Sequence, residues 1–534
     1  MFRNKSVSAH QFAMTPRPDI PRASFNIDFT HKTTFDAGYL VPVFCEEVLP
    51  GDSFSVSMTA FARLATPIFP LMDNIHLDTF FFYVPNRLVW SNWVKFMGEQ
   101  VTPGDSISYV VPTVISPTGG FAVGSVYDYF GLPTVGQVGG AAAVAVNAMP
   151  LRAYNLIWYH WFRDENLQNP PYVASGDASE PSTAYVLQRR GKRPDYFTTA
   201  LPWPQKGGTP VSLPIGTSAP VYSTGAAISM RGGTGTIRPI DTDGVDITVG
   251  GGGTSAGGLN WGAAGATTTG LYADLSAATA STINQIRQAF QIQRLLERDA
   301  RGGSRYVEII ASHFGVRSPD ARLQRPEYLG GGSSPLLLTP IAQTSGTGIS
   351  GGSTPLGNLA AMGTAVARHG FSSSFVEHGY VIGLANVRAD ITYQQGLRRH
   401  WFRSTRYDYY FPAFAMLGEQ AILNKEIYCD GSINDSAVFG YQERWAEYRY
   451  SPSLITGLFR STSSGTLDGW HAAQRFTALP VLNSTFIADT PPLSRVLAVG
   501  AAANGAQIIF DSVFKVRAAR PLPMFSVPGM IDHF

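Results

Sequence analysis

Charge is the first thing this chain lacks. Charged residues are 15% of its 534, against roughly 25% in an average soluble domain. A surface so thinly charged implies that much of it is buried against other chains. Forty Lys and Arg against 38 Asp and Glu leave a net charge of +2, so there is no global electrostatic footprint for nucleic acid and any basic patch has to be local. Cysteine is nearly absent: Cys45 and Cys429 allow one bridge at most, which excludes a disulfide framework and fits folding in a reducing compartment. No run of about 18 apolar residues is present. The opening MFRNKSVSAHQF lacks the apolar core of a signal peptide. Neither membrane insertion nor secretion is expected. The Ala/Val/Gly run at 135–148 is too small and too broken by glycine to span a bilayer.

Catalytic signatures are missing too. The chain has no GxxxxGKS/T, no HExxH, no CxxC and no GxSxG between a strand and a helix, so no cofactor is called for. DTDGVD at 241–246 begins like a calcium loop but lacks the third acidic ligand at the right spacing and the closing glutamate. One enzyme constellation has the right order. Gly51-Asp52-Ser53 resembles the nucleophile block of GDSL-type esterases, Asn434-Asp435 stands where their oxyanion block would, and Asp468 and His471 have the DxxH form of their acid and base. A serine nucleophile needs such a base and an orienting acid. It also needs a buried parallel strand before it and a helix after it, whereas Ser53 opens an alternating Ser/Thr strand. A carbohydrate-binding β-sandwich is a third reading, and it would require exposed aromatics along a groove.

What the chain does have is aromatics, glycine and proline. Aromatics are 12%, with 23 Tyr and 32 Phe, and such residues anchor interfaces. The 55 Gly and 36 Pro imply many turns and long loops, which favours an all-β fold. Residues 49–93 organise the rest. Phe54, Val56 and Met58 alternate with Ser53, Ser55, Ser57 and Thr59, the period-2 pattern of a strand with one apolar face. A second strand follows from Ile75, and its polar face turns apolar toward Phe80–Val84, so its end should be buried on both sides. Pro67 and Pro70 mark the corner between them. Residues 375–393 read as another long strand with glycines at 379 and 383, and residues 507–517 as a strand with Lys515 and Arg517 on one face. The strands at the two ends of the chain have to pair for one barrel to close, so a single domain enlarged by insertions is expected, with helices at 151–166 and 282–300.

Several segments carry local chemistry. Residues 1–30, with Arg3, Lys5, Arg17 and Arg22, read as an extended basic arm. Arg189, Arg190, Lys192 and Arg193, followed by Tyr196, Phe197 and Trp203, could hold single-stranded nucleic acid by charge and stacking, or could be an inter-subunit contact or a loop pinned by cation–π pairs. Residues 397–414 repeat the basic-aromatic mixture with Arg398, Arg399, Trp401 and Arg403. Residues 207–280 are a Gly/Thr/Ser/Ala island, too long for a mere connection. Its few charges include Arg231, Arg238, Asp241, Asp243 and Asp246.

Long blocks of this sequence carry a recognisable pattern: HKTTFDAGYLVPVF at 31–44, FFFYVPNRLVWSNWVKFMGE at 80–99, LQRRGKRPDYFTTALPWPQKG at 187–207, FQIQRLLERDARGGSRYVEII at 290–310, VFGYQERWAEYRY at 438–450 and the RPLPMFSVPG tail at 520–529. The chain resembles the major capsid proteins of the Microviridae, and within them the gokushovirus branch. The resemblance implies a single eight-stranded antiparallel jelly roll with large loop and helical insertions. Sixty copies would form a T=1 icosahedral shell around circular single-stranded DNA in a small bacteriophage. It implies as partners the chain itself, the genomic DNA, an internal scaffolding protein, minor virion proteins and a host surface receptor, with assembly in the bacterial cytoplasm. It also implies that the most variable insertion, best matched by 207–280, is a threefold protrusion that recognises the host. The arm and the Lys515, Arg517 and Arg520 segment are then the residues expected to face DNA, and Asn86–Trp93 the segment expected to lead out to a subunit contact.

Overall fold

The Ser/Thr alternation of residues 53–64 is carried by a strand whose buried and exposed residues alternate at almost every step. The computed structural model describes residues 21–140, 142–207, 283–316, 324–342, 359–498 and 505–525, with short strand segments between 221 and 273 and between 348 and 353. In chain order the main strands are β1 (Ala23–Phe35), β2 (Val41–Val48), β3 (Ser53–Leu64), β4 (Ile75–Pro85), β5 (Glu327–Pro335), β6 (Leu337–Ala342), β7 (Leu359–Ser374), β8 (Gly379–Ala389), β9 (Glu419–Leu423), β10 (Val438–Glu443) and β11 (Ile508–Arg520). The longer helices are α1 (Met149–Trp161), α2 (Ile283–Arg301) and α3 (Tyr306–Phe314).

Two antiparallel sheets build the body. One has the order β1-β11-β3-β7-β6 and the other β5-β4-β8-β2. The two ends of the chain do pair: β1 and β11 run antiparallel in unbroken register from Ala23 opposite Arg520 to Phe35 opposite Ile508. Strand β1 therefore begins inside the segment expected to be a free arm, and residues 23–30 are sheet. Residues 1–20, including Arg3, Lys5 and Arg17, lie outside the described residues.

The inward residues of both sheets share one core. Phe54, Val56 and Met58 from β3 and Phe510, Phe514 and Val516 from β11 meet Leu77, Phe81 and Tyr83 from β4 and Val381, Ala385 and Val387 from β8. Each such large side chain stabilises the fold by about 1.5–3 kcal/mol when fully buried. The four-stranded sheet is also covered on its other face. Phe82, Val84, Ile382 and Leu384 join Leu151, Tyr154, Ile157 and Trp158 of α1 in a second core. All of β8 is consequently buried, as a sheet packed on both faces requires. Gly383 fits here because a Cβ would lie 2.8 Å from both the Phe44 Cβ and the Phe81 ring, and the β8–β2 register shifts just after it. The five-stranded sheet keeps its outer face exposed.

One local expectation changes. Helix α1 ends at Trp161, short of Asn166, because the Asp164 carboxylate accepts the N–H groups of Asn166 and Leu167 at 2.9 and 3.1 Å, a local turn that competes with the helix. Asn86–Trp93 is anchored in the fold before the chain reaches the surface at Ser91 and Val94. Asn86 and Trp90 are fully buried and Val89 and Trp93 nearly so, packed into the second core beside α1.

The chain divides into two compact units, Met1–Pro204 with Ser304–Phe534, and Gln205–Gly303. The second takes in the 207–280 island and α2. Its described backbone includes Ser229–Arg231 paired with Ile237–Pro239 and with Asn260–Trp261, and Val221–Ser223 paired with Leu271–Ala273. In α2 the apolar stripe of Ile283, Phe290 and Leu295 is 50–69% exposed.

Candidate functional site

Asp52, Ser53, Asp435 and His471 of the esterase constellation are engaged elsewhere. The Ser53 hydroxyl meets the Ser374 hydroxyl at 2.6 Å and accepts from Arg22 at 2.6 Å. Asp52 is fully buried and accepts the Leu49 N–H at 2.8 Å, which closes the turn into β3. His471 has Nε2 2.7 Å from the Phe459 carbonyl, and its Nδ1 accepts the Ala473 N–H at 3.2 Å. Both ring nitrogens are thus satisfied without a serine. Asp435 gathers the N–H groups of Asp430 and Gly431 in a surface loop. Ser53 is a strand residue, and among the described residues no base is oriented toward it.

The cluster at 189–193 is held within the chain. Arg189 lies 3.9 Å over the Tyr39 ring and donates to the Asp489 carbonyl at 3.1 Å. Arg190 is ion-paired with Asp78 and lies over Phe80. Lys192 sits 4.3 Å over Phe486, where burial pulls its ammonium down to about 8. Arg193 pairs with Asp390 at 3.0 Å. Asp78 is the hub of this network, because Arg388 also reaches it at 2.7 Å. The sequence offered a signal for that residue: a lone carboxylate within the apolar run of β4 needs buried cations.

The second basic-aromatic segment builds a cavity of about 320 Å³. Arg399 is paired with Glu426 at 2.9 Å and Arg403 with Glu447 at 3.1 Å. Arg403 also donates to the Tyr448 hydroxyl at 2.6 Å. Arg398 donates to the Pro452 carbonyl at 2.9 Å. Trp401 does not line this cavity. It stands 71% exposed, and Tyr407, Tyr409, Met416 and Leu417 are also exposed, an apolar strip typical of interaction surfaces.

The outer face of the five-stranded sheet brings together residues distant in sequence. Exposed Lys515 and Arg517 on β11 stand opposite Ser57 and Ser55 of β3, which in turn face Gly370 and Ser372 of β7. Arg63 and Arg368 belong to the same face, and sequence reasoning missed them. Acidic residues on it are Asp28, opposite Lys515, and Asp511, the latter paired with Lys32 at 2.7 Å. Arg520 differs from its neighbours. It lies 5.0 Å over Phe54, donates to the Glu47 carbonyl at 3.0 Å and approaches Asp52 at 3.7 Å, so it is tied into the fold. Arg22 binds Ser53. Of the insertion's candidates, Arg231 and Arg238 fall in the short strands Ser229–Arg231 and Ile237–Pro239, and Asp241, Asp243 and Asp246 lie outside the described residues.

Among the described residues no group of His, Cys, Asp and Glu is placed to hold a metal ion, and no helix is long and apolar enough to cross a membrane.

Comparison with known proteins agrees with a structural role. The family model described as capsid protein (F protein) matches residues 13–530. Capsid protein VP1 of Bdellovibrio phage phiMH2K is 47% identical over 98% of each chain. VP1 of Chlamydia phage 1 is 43% identical over 98% of each, and VP1 of Spiroplasma virus 4 is 37% identical over 98% of this chain and 97% of its own. Matched by that family's model and by these VP1 chains almost from end to end, this chain belongs to the capsid protein (F protein) family of the Microviridae-type single-stranded DNA phages, as a major capsid protein, a structural component of the virion.

Proposed function

We propose that sixty copies of this chain assemble into a T=1 icosahedral shell that encloses a circular single-stranded DNA genome, each copy contributing one eight-stranded jelly roll. The observation that carries this reading is the strand order. Four strands β1-β11-β3-β7 lie against four strands β2-β8-β4-β5, and successive strands of the chain mostly alternate between the two sheets, as jelly rolls do. Strand β6 is an added edge on β7. The exposed apolar stripe of α2 and the Trp401–Leu417 strip are surfaces that neighbouring copies would cover.

The outer face of the five-stranded sheet is the surface that faces DNA in this proposal. Lys515, Arg517, Arg63 and Arg368 supply cations for phosphates, and the surrounding Ser and Thr hydroxyls hydrogen-bond phosphate without reading sequence. A particle reconstruction with density for DNA tests it. Ordered nucleotide density is expected against Lys515 and Arg517, and those side chains pointing to the outside of the particle would refute the assignment.

The 207–280 insertion forms the threefold protrusion in this reading and contacts a host surface receptor, while the internal scaffolding and minor virion proteins of the phage are further partners. Its length fits a functional excursion rather than a connection. Deleting part of it is expected to leave soluble, assembled protein and to reduce attachment to host cells. Loss of folded protein would instead assign the insertion a structural role.

A further inference from the structure

We propose that the cavity bounded by Arg398, Arg403, Tyr448 and the Tyr196–Tyr450 pair is a binding site for one nucleotide of single-stranded DNA, with the phosphate on Arg398 and the base against tyrosine. The proposal rests on the reading that the shell encloses DNA, and it assigns a specific pocket on this chain to that ligand.

Charge is the first support. Three guanidiniums line the cavity with two carboxylates. Each carboxylate already has partners within the chain. Glu426 takes Arg399 at 2.9 Å, the Leu423 N–H at 3.0 Å and the Tyr196 hydroxyl at 3.1 Å. Glu447 takes Arg403 at 3.1 Å and the Gln420 amide at 2.7 Å. Arg399 and Arg403 are thereby paired, and Arg398, which donates to the Pro452 carbonyl, is the guanidinium of this cavity with no carboxylate partner among the described residues.

A guanidinium carries five N–H groups in a fixed fork that suits phosphate oxygens, and Arg398 gives one of them to the Pro452 carbonyl.

The walls supply the rest. Tyr196 and Tyr450 are stacked at 5.3 Å with their planes 9° apart. Tyr448 is 56% exposed, and its hydroxyl is fixed by Arg403. A held, half-exposed ring is a stacking platform for a base, and stacking tolerates any sequence, as packaging of a whole genome demands. The volume of about 320 Å³ is at the lower end for small-molecule sites and admits one nucleotide unit rather than a duplex.

The test combines two readouts. Unassembled full-length protein is titrated with a five-nucleotide 5′-phosphorylated oligothymidylate across a salt series. Arg398→Gln is expected to weaken binding about tenfold and to reduce the logarithmic salt slope by roughly 0.7, the value for one phosphate contact on a single strand. Tyr448→Leu, at an exposed ring, is expected to weaken binding to a similar degree with little change in slope, and it keeps the test open if Arg398→Gln does not fold. In DNA-filled particles, ultraviolet crosslinking followed by mass spectrometry is expected to place adducts on peptides containing Tyr448 or Tyr450. Unchanged binding in both variants, or a neighbouring chain's side chain occupying the cavity in a particle reconstruction, overturns the pocket while leaving DNA enclosure intact. Particles without DNA would refute enclosure, and the oligonucleotide titration would still decide the pocket.

Discussion

Replacing Asp78 by alanine is expected to destabilise the unassembled subunit by about 3–5 kcal/mol, the cost of stripping the partner from a buried charge. The Asp78 side chain is 5% exposed and holds both Arg190 and Arg388. Its removal would leave two guanidiniums on the edge of the core with no carboxylate between them. Burial alone would raise the Asp78 carboxyl, but hydrogen bonds from Ser333, Arg190 and Arg388 outweigh it and hold the group below its ordinary value. The folded pKa therefore lies below the unfolded one, near 3.9. The stabilisation is complete above that unfolded value and is lost as pH falls through the folded one. Urea unfolding at pH 7 and at successively lower pH measures this: the gap between wild type and Asp78→Ala should be widest at neutral pH and should close only at the acid end. A loss below about 1 kcal/mol at pH 7, the scale of an exposed pair, would mean the network is not the clamp described.

Trp90→Ala is expected to cost a similar amount, about 3–5 kcal/mol, as large aromatic truncations in cores do. Trp90 is fully buried. Its ring packs 5.1 Å from Phe96 and 6.1 Å from Trp93, and its indole N–H donates to Asp177 at 2.5 Å, so truncation opens a cavity and removes a partner from a carboxylate. The state in which the loss appears is decisive. An internal core residue destabilises the isolated subunit, whereas a residue at a subunit contact leaves the subunit's unfolding midpoint unchanged and weakens assembly alone.

The framework of the fold was legible because it is written in short-range periodicity. The Ser/Thr alternation of β3 and the apolar end of β4 gave both strands and the double burial of the second, and the pairing of the terminal strands followed from closure. What failed depends on neighbours distant in the chain. That Asp177 and α1 hold Trp90 within Asn86–Trp93 could not be read from the residues around it. Arg520 sits beside Lys515 and Arg517 in sequence, but alternation along β11 and the approach of Glu47, Asp52 and Phe54 remove it from the exposed set. The basic clusters at 189–193 and 398–403 could not be resolved from composition, since each cation's role is set by carboxylates such as Asp78, Asp390, Glu426 and Glu447. Arg63 and Arg368 were missed for the same reason: only strand register places them beside Lys515 and Arg517.

Everything functional in this account depends on the chain forming a closed shell. Electron cryomicroscopy of the full-length protein under assembly conditions measures that directly. The account predicts uniform icosahedral particles containing sixty copies, and a monodisperse monomer under every assembly condition would contradict it.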